Sequence, residues 1–200
     1  VVDYTETFDA SVVAHASLAL NASTSGELDV SALLSGVLQI FAAPIGTTAN
    51  ASGMDIYVEV TGHATAHDQW IRVAEFKTST IAASLVNVNA SEAAGETEIT
   101  VDGITGMDAR DFIYIQDTTT IADSEWHRLM DAESTSLFIE GGLQNAKDSS
   151  DDVFDQAFVA ALPMDLAGVR RVRVTFNHRV SATGSTMHVL SLMSTADAIE

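Results

Sequence analysis

Apolar and polar residues alternate with a period of two along most of the chain, in runs rich in Val, Ile, Thr and Phe that clusters of Gly, Asn, Ser and Asp separate. This pattern predicts strands joined by turns, because successive side chains of a strand point to opposite faces. In MDIYVEVTG, Ile56, Val58 and Val60 share one face while Asp55, Tyr57 and Glu59 share the other. In QWIRVAEFKTS, Trp70, Arg72, Ala74 and Phe76 oppose Ile71, Val73 and Glu75. VVAHASLAL (12–20), VLQIFAA (37–43), FVAAL (158–162), VRRVRVTFN (169–177) and MHVLSLM (187–193) are further strands, spaced as in a sandwich or jelly roll. The apolar stretch from Val30 to Gly46 is broken by Ser31, Ser35, Gly36, Gln39 and Pro44. It falls short of the ~20 residues of a spanning helix, so a pair of buried strands is expected there. Only Asp29 to Leu38 combines a cap with a helical face, and a short helix is expected over it.

The texture changes between Ser91 and about Ser150. TEITVDG, GMDARDFIYIQD, SEWHRLMDAES and TSLFIEGGL read as four short strands with polar turns, close to the smallest unit that holds its own core. The expected fold class is therefore all-β: a discontinuous jelly-roll-like β-sandwich from residues 1–90 and 151–200. An inserted small β-barrel-like domain occupies 91–150 and leaves from a loop, where long additions are tolerated.

Composition narrows the functions open to such a fold. The chain is 46% hydrophobic, enough for a sizeable core, and carries 28 acidic against nine basic residues, a formal charge of -19. The acids are spread along the sequence as a solvating shell suited to salty surroundings, and such a surface repels nucleic acid and anionic membranes. No cysteine is present, which removes disulfides, thiolate nucleophiles and cysteine-ligated zinc. The opening residues VDYTETFDA are acidic and polar, so no Sec export signal is expected.

Asp123, Glu125 and His127 occupy alternate positions beside Trp126, and acid, acid and imidazole so close together could bind a metal or move a proton. As a strand, however, 123–130 is expected to point Trp126 and Met130 into the insert's core and to leave Glu125 and His127 exposed. Zinc needs three or four converging ligands and the chain has no HExxH motif, so no catalytic residue, metal ligand or cofactor is expected. Substitution of Glu125 and His127 should leave the fold intact. His15, His63, His67, His178 and His188 are scattered, with His63, His67 and Asp68 in one polar loop. Asp148, Asp151, Asp152 and Asp155 gather where the insert rejoins the sandwich; they are a candidate calcium site, although the glycine and terminal glutamate of an EF-hand loop are missing. Asn21, Asn50 and Asn89 each begin an Asn-Ala-Ser sequon, whose plain alternative is a polar turn. The one basic cluster is Arg170, Arg171 and Arg173. It fits pairing with acids of a neighbouring subunit or, equally, with the chain's own carboxylates.

The order MDIYVEVTG, DQWIRVAEFKT, an insert carrying DFIYIQDTTTIADSEWHRLM and TSLFIEGGL, then RRVRVTFNH, resembles that of structural proteins of tailed viruses, in particular capsid decoration and minor virion proteins. The resemblance covers Asp55 to Asn177. Its sharpest points are the spacing of Trp70 and Phe76 and the triplet Ser124-Glu125-Trp126. It implies a non-enzymatic assembly protein on the capsid surface, with the major capsid protein as partner and a homo-oligomer, by analogy a trimer. The candidate interface is then Trp70, Phe76, Arg170, Arg171 and Arg173. The alternative is a carbohydrate-binding or receptor-binding β-sandwich module of a virion or secreted protein, which would expose aromatics for stacking.

Overall fold

A computed structural model describes residues 7–19, 21–45, 52–64, 69–78, 83–180 and 186–195. The predictions at Asn50, His67 and Asp68 lie outside the described residues. Strands β1 (Thr7–Leu18), β2 (Ser23–Asp29), β3 (Ser35–Ile45), β4 (Ser52–Thr61) and β5 (Ile71–Lys77) come first. Six more strands follow: β6 (Leu85–Asn87), β7 (Glu98–Thr100), β8 (Phe112–Gln116), β9 (Glu125–Glu133), β10 (Ser136–Ile139) and β11 (Asp152–Phe154). The chain then returns through β12 (Phe158–Asp165), β13 (Arg171–Val180) and β14 (Thr186–Thr195).

Strands β1 to β5 and β12 to β14 make two antiparallel sheets, in the orders β1-β14-β3-β12 and β2-β13-β4-β5. Counting these strands alone, the first pairs with the eighth, the second with the seventh, the third with the sixth and the fourth with the fifth. That wiring is a jelly roll, a sandwich of two Greek keys. Its core comes from alternate positions, with Leu38 and Ile40 of β3 and Val189 of β14 facing Ile56, Val58 and Phe176 of the other sheet. The period-two pattern thus places one apolar row of each strand between the sheets.

Two local expectations are corrected. Among the described residues, Val30 to Ile45 holds one strand, β3, not a pair. It lies between β14 and β12, and it is apolar on both faces because its outer face is also partly covered, as described below. Asp29 to Leu38 holds no helix: the Asp29 carboxylate accepts the Ser31 N–H at 2.9 Å, a local bond that stabilises a turn instead.

Strand β2, STSGELD, is nearly devoid of apolar residues and is placed by its glycine. The inward position of Gly26 lies directly beneath the Val12 carbonyl, which a Cβ would strike. Gly26→Ala is expected to destabilise the sandwich by about 1–3 kcal/mol through this backbone clash, whereas the exposed neighbour change Ser25→Ala should be near neutral; urea titration of both variants checks it.

The six strands between them, β6 to β11, form one sheet in the order β6-β11-β8-β9-β10-β7. It curls until its two edges meet in an isolated bridge between Val88 and Val101, with Asn89 N–H donating to the Thr100 carbonyl at 2.8 Å. Ile99, Ile113, Ile115, Leu129, Leu137 and Val153 fill the interior. The insert is therefore a small barrel, and its first and last strands, β6 and β11, lie outside the expected limits of 91 and 150. They read as sandwich strands in sequence, but each has only three residues and both pair inside the barrel.

The barrel leans on the outer face of β3, β14 and β1 at one end. Ala43, Tyr114 and Phe154 pack there with Ile45 and Trp126, and the Trp126 ring lies 5.4 Å from that of Phe41.

Candidate functional site

Strand parity brings Glu125, His127 and Leu129 to one face of β9, as expected, but that face is the interior of the barrel. Register pairs Ile113 with His127 and Ile115 with Glu125, and Glu125 and His127 are only 5% and 6% exposed. The expected assignment of faces is thus reversed: Met130 is 55% exposed and Trp126 faces the sandwich. The reason is that the outer side of β9 is itself covered at the seam, so it supplies the large ring, while the inner side closes the barrel with a charge network.

Lys147 completes this network, and sequence reasoning missed it. Its Nζ lies 2.9 Å from Glu125 Oε1 and donates to the Asp123 carbonyl at 2.7 Å. His127 Nε2 donates to Glu125 Oε2 at 2.7 Å, and the Gln144 and Asn145 N–H groups donate to the same carboxylate, each at 2.8 Å. Burial alone would push the Glu125 carboxyl up, but His127, the Gln144 N–H, Lys147 and the Asn145 N–H outweigh it and hold it at about 2. The Lys147 backbone also exchanges hydrogen bonds with Glu92 in both directions, at 2.9 Å each. One lysine therefore ties β9, the segment after β10 and the segment before β7 together. Asp123 takes part through its backbone only. Glu125 and His127 are thus engaged with one another inside the barrel and turned from solvent, whereas the Asp123 side chain lies outside the network and is partly exposed.

Arg171 and Arg173 lie on the outer face of the β2-β13-β4-β5 sheet and pair within the chain. Arg173 meets Glu59 at 2.6 Å and Arg171 meets Glu27 at 2.8 Å, while Arg72 bridges to Glu75 at 3.3 Å. Arg179 meets Asp55 at 2.7 Å. Trp70 lies over the ends of this ladder, with the Arg173 and Arg171 guanidinium carbons 4.3 Å and 5.1 Å from its ring centre. Arg170 is exposed at the start of β13. Phe76 is not an interface residue: it points inward with Ala74 and packs on Phe158 with ring centres 5.8 Å apart. Of the five candidate interface residues, Trp70, Arg171 and Arg173 meet on one face, and Phe76 packs against the core.

The four aspartates proposed for calcium do not converge. Asp148 and Asp151 share a turn, with the Asp148 N–H donating to Asp151 Oδ2 at 3.0 Å. Asp152 accepts from Asn87 Nδ2 at 2.6 Å, and Asp155 binds the Ser84 N–H near the seam. Burial pushes the Asp152 and Asp155 carboxyls up, which disfavours the charged form a cation needs. Among the described residues, no three His, Asp or Glu side chains stand close enough to hold a metal ion. Asn21 adopts a left-handed turn at φ 55°, and Asn89 is exposed beside the barrel closure.

No protein-family model matches the chain, and no curated protein matches it in sequence.

A second cluster joins the barrel to the sandwich. His15 Nε2 lies 3.1 Å from the Tyr114 hydroxyl, and that hydroxyl lies 2.5 Å from His188 Nδ1. The Tyr114 hydroxyl thus bridges the two imidazoles. Burial lowers His15 and His188 to about 4 each, the latter helped by the charge His15 would carry, and burial pushes the Tyr114 hydroxyl well up. Trp126 packs on this chain, 4.5 Å from the Tyr114 ring and 5.0 Å from His15. Its buried Nε1 has no hydrogen-bond partner among the described residues. Trp126→Ala is expected to cost about 3 kcal/mol, the low end for a large aromatic because the ring is half-buried. Trp126→Phe removes the unpaired donor, which offsets the lost ring area, and should stay within about 1 kcal/mol of the parent. Chemical denaturation of the two variants separates them. The sequence signal for this seam was a histidine inside each of two apolar strands, VVAHASLAL and MHVLSLM.

Proposed function

We propose that the chain is a non-enzymatic virion structural protein, a decoration protein that binds the outer surface of a capsid and stabilises it by bridging copies of the major capsid protein. The observation that carries this reading is the pairing of a jelly roll, a fold frequent in viral shells, with a barrel whose acid, imidazole and amine are all spent on one another. The broad sheet faces and the projecting barrel offer surface for docking. Each copy would contribute modestly, and many copies on one particle would supply the rest through avidity. Fold alone does not assign function, so the sequence resemblance from Asp55 to Asn177 carries the virion part of the proposal.

The carbohydrate-binding alternative is weaker, because the ring face of Trp70 is occupied by Arg171 and Arg173 and Trp126 is packed in the seam. The decisive experiment mixes the purified chain with tailed-virus capsids lacking their decoration. Co-sedimentation and imaging are expected to show many copies on the outer surface. A chain that stays in the supernatant, or one that binds glycans instead, would sink the proposal.

A further inference from the structure

We propose that two copies of this chain pair edge to edge through strand β5, joining their β2-β13-β4-β5 sheets into one continuous sheet. The inference does not rest on the virion reading, and it gives a two-fold pair in place of the trimer implied by the resemblance.

An open edge strand presents a row of unpaired N–H and C=O groups, and another extended chain satisfies them in register. Among the described residues, the other edges of the molecule are closed or blunted. Strands β1 and β2 meet where the Val12 carbonyl lies against Gly26. Strand β12 carries Pro163, which has no N–H to donate. The two edges of the barrel sheet meet at Val88 and Val101. Strand β5 has a neighbour on one side only and contains neither proline nor glycine. Its side chains lack a neighbour as well. Ile71 lies in register with Val60, on the face that Ile56 and Val58 turn to the core, yet it is 67% exposed, and Val73 is 49% exposed.

The order of side chains along β5 identifies a second copy as the strand that fits. A bulge makes Val73 an extra residue beside Arg72, so the faces run Ile71 inward, Arg72 outward, Ala74 inward, Glu75 outward and Phe76 inward. A two-fold axis through an antiparallel pair sets one residue opposite its own mate. With Ala74 at that point, Ile71 falls opposite Phe76 of the second copy, both inward, and Arg72 falls opposite Glu75, both outward and of opposite charge. Each contact occurs twice. Centring on Glu75 would oppose two carboxylates and centring on Arg72 two guanidinium groups, which is unfavourable; centring on Phe76 would leave Ile71 without a partner. Ala74, the smallest side chain of the strand, thus sits where the copies come nearest. Arg72 and Glu75 already bridge within one chain at 3.3 Å, so pairing joins two bridges into an alternating ring of four charges. The net charge does not oppose the approach, because the ion-pair ladder neutralises the outer face of this sheet. The barrel region, with three basic and 16 acidic residues between 83 and 157, stands on the other sheet and reaches the Lys77 end of β5, where Lys77 and Arg110 line one cleft. Antiparallel pairing sends the two Lys77 ends ~20 Å apart along the strands, well beyond a screening length of ~8 Å.

Arg72→Glu and Glu75→Arg test both the surface and the register. Each variant alone opposes like charges across the axis and should pair at least about tenfold more weakly than the parent in sedimentation velocity up to ~1 millimolar. An equimolar mixture of the two restores both cross-strand ion pairs and should form dimers at the concentrations where the parent does. The mixture contains the same folded chains as the separate samples, so its recovery reports contact between copies and not a repair of folding. Since the chain has no cysteine, Ala74→Cys gives a reading that does not depend on charge. It should form disulfide-linked dimers under mild oxidation, because Cβ atoms facing across the axis lie within about 5.5 Å, and Ser25→Cys on β2 should not. A parent that is monomeric to ~1 millimolar would overturn the proposal, as would a mixture no more dimeric than its components or equal cross-linking at the two cysteines. Hydrogen-exchange protection of β5 that arises only on capsids would also overturn it, by assigning the edge to the capsid protein. Dimers formed without capsid binding would sink the virion reading alone.

Discussion

Lys147→Met is expected to lower the stability of the chain by about 3–5 kcal/mol, the usual result of removing one partner of a buried ion pair, and to reduce Tm by on the order of 10 °C. Methionine keeps the length of the side chain but withdraws the ammonium from Glu125 Oε1 and from the Asp123 carbonyl. The carboxylate then stays inside the barrel with its bonds to His127 and to the Gln144 and Asn145 N–H groups, but without its buried cation. Glu125→Gln should be damaging for the converse reason, which reverses the expectation that this position tolerates change. The double variant Glu125→Gln, Lys147→Met removes both charges, and its loss should be clearly smaller than the sum of the two single losses. Urea titrations of the parent and the three variants complete the cycle; a Lys147→Met chain within about 1 kcal/mol of the parent would show that the network is not what closes the barrel.

The second large effect is on pH. His15 and His188 titrate near the ordinary value of 6.5 in the unfolded chain and at about 4 in the folded one, because burial at the seam resists their charging. Between those values the unfolded chain binds protons that the folded chain does not, so stability is complete above pH 6.5 and falls as the pH drops towards 4. Glu125 acts in a lower window. Its folded value of about 2 lies below the ordinary 4.5, so its contribution is present above 4.5 and lost as the pH falls towards 2. Asp152 and Asp155, raised by burial, act with the opposite sign and offset part of the loss. Thermal melts across this range should show Tm declining from pH 6.5 downward. In a His15→Gln, His188→Gln chain the upper decline should flatten while the decline below 4.5 persists. A parent Tm that holds level from 6.5 to 4.5 would contradict the seam as described.

Much of this architecture was legible in the sequence because period-two patterning reports one buried face per strand, and β4, β12, β13 and β14 each show it; in β5 a bulge at Val73 breaks the pattern and puts Arg72 on the outer face with Glu75, opposite Ala74 and Phe76. Three kinds of residue escaped. Strand β2 has almost no apolar positions and is fixed by the close approach at Gly26, which no periodicity reveals. Strands β6 and β11 have three residues each, too few for an alternation to register. Glu125, His127 and Trp126 were assigned to the wrong sides of a correctly placed strand. Composition says that a carboxylate and an imidazole prefer water, and only the three-dimensional partners, Lys147 above all, reverse that preference. Phe76 was misread in the same way: its alternation with Glu75 was correct, but sequence could not say which side of β5 met the core.

The places where the polypeptide departs for the barrel and comes back are neighbours: the Ser84 N–H is bound by the Asp155 carboxylate, and the Asp155 N–H lies 3.3 Å from the Ser84 carbonyl. To the jelly roll, some seventy residues of extra chain therefore look like a single tight hairpin. Such a socket accepts cargo of almost any size, so an unrelated module spliced between these two positions would inherit the same perch above His15, Phe41 and His188. It would need only an oily underside of its own to sit there.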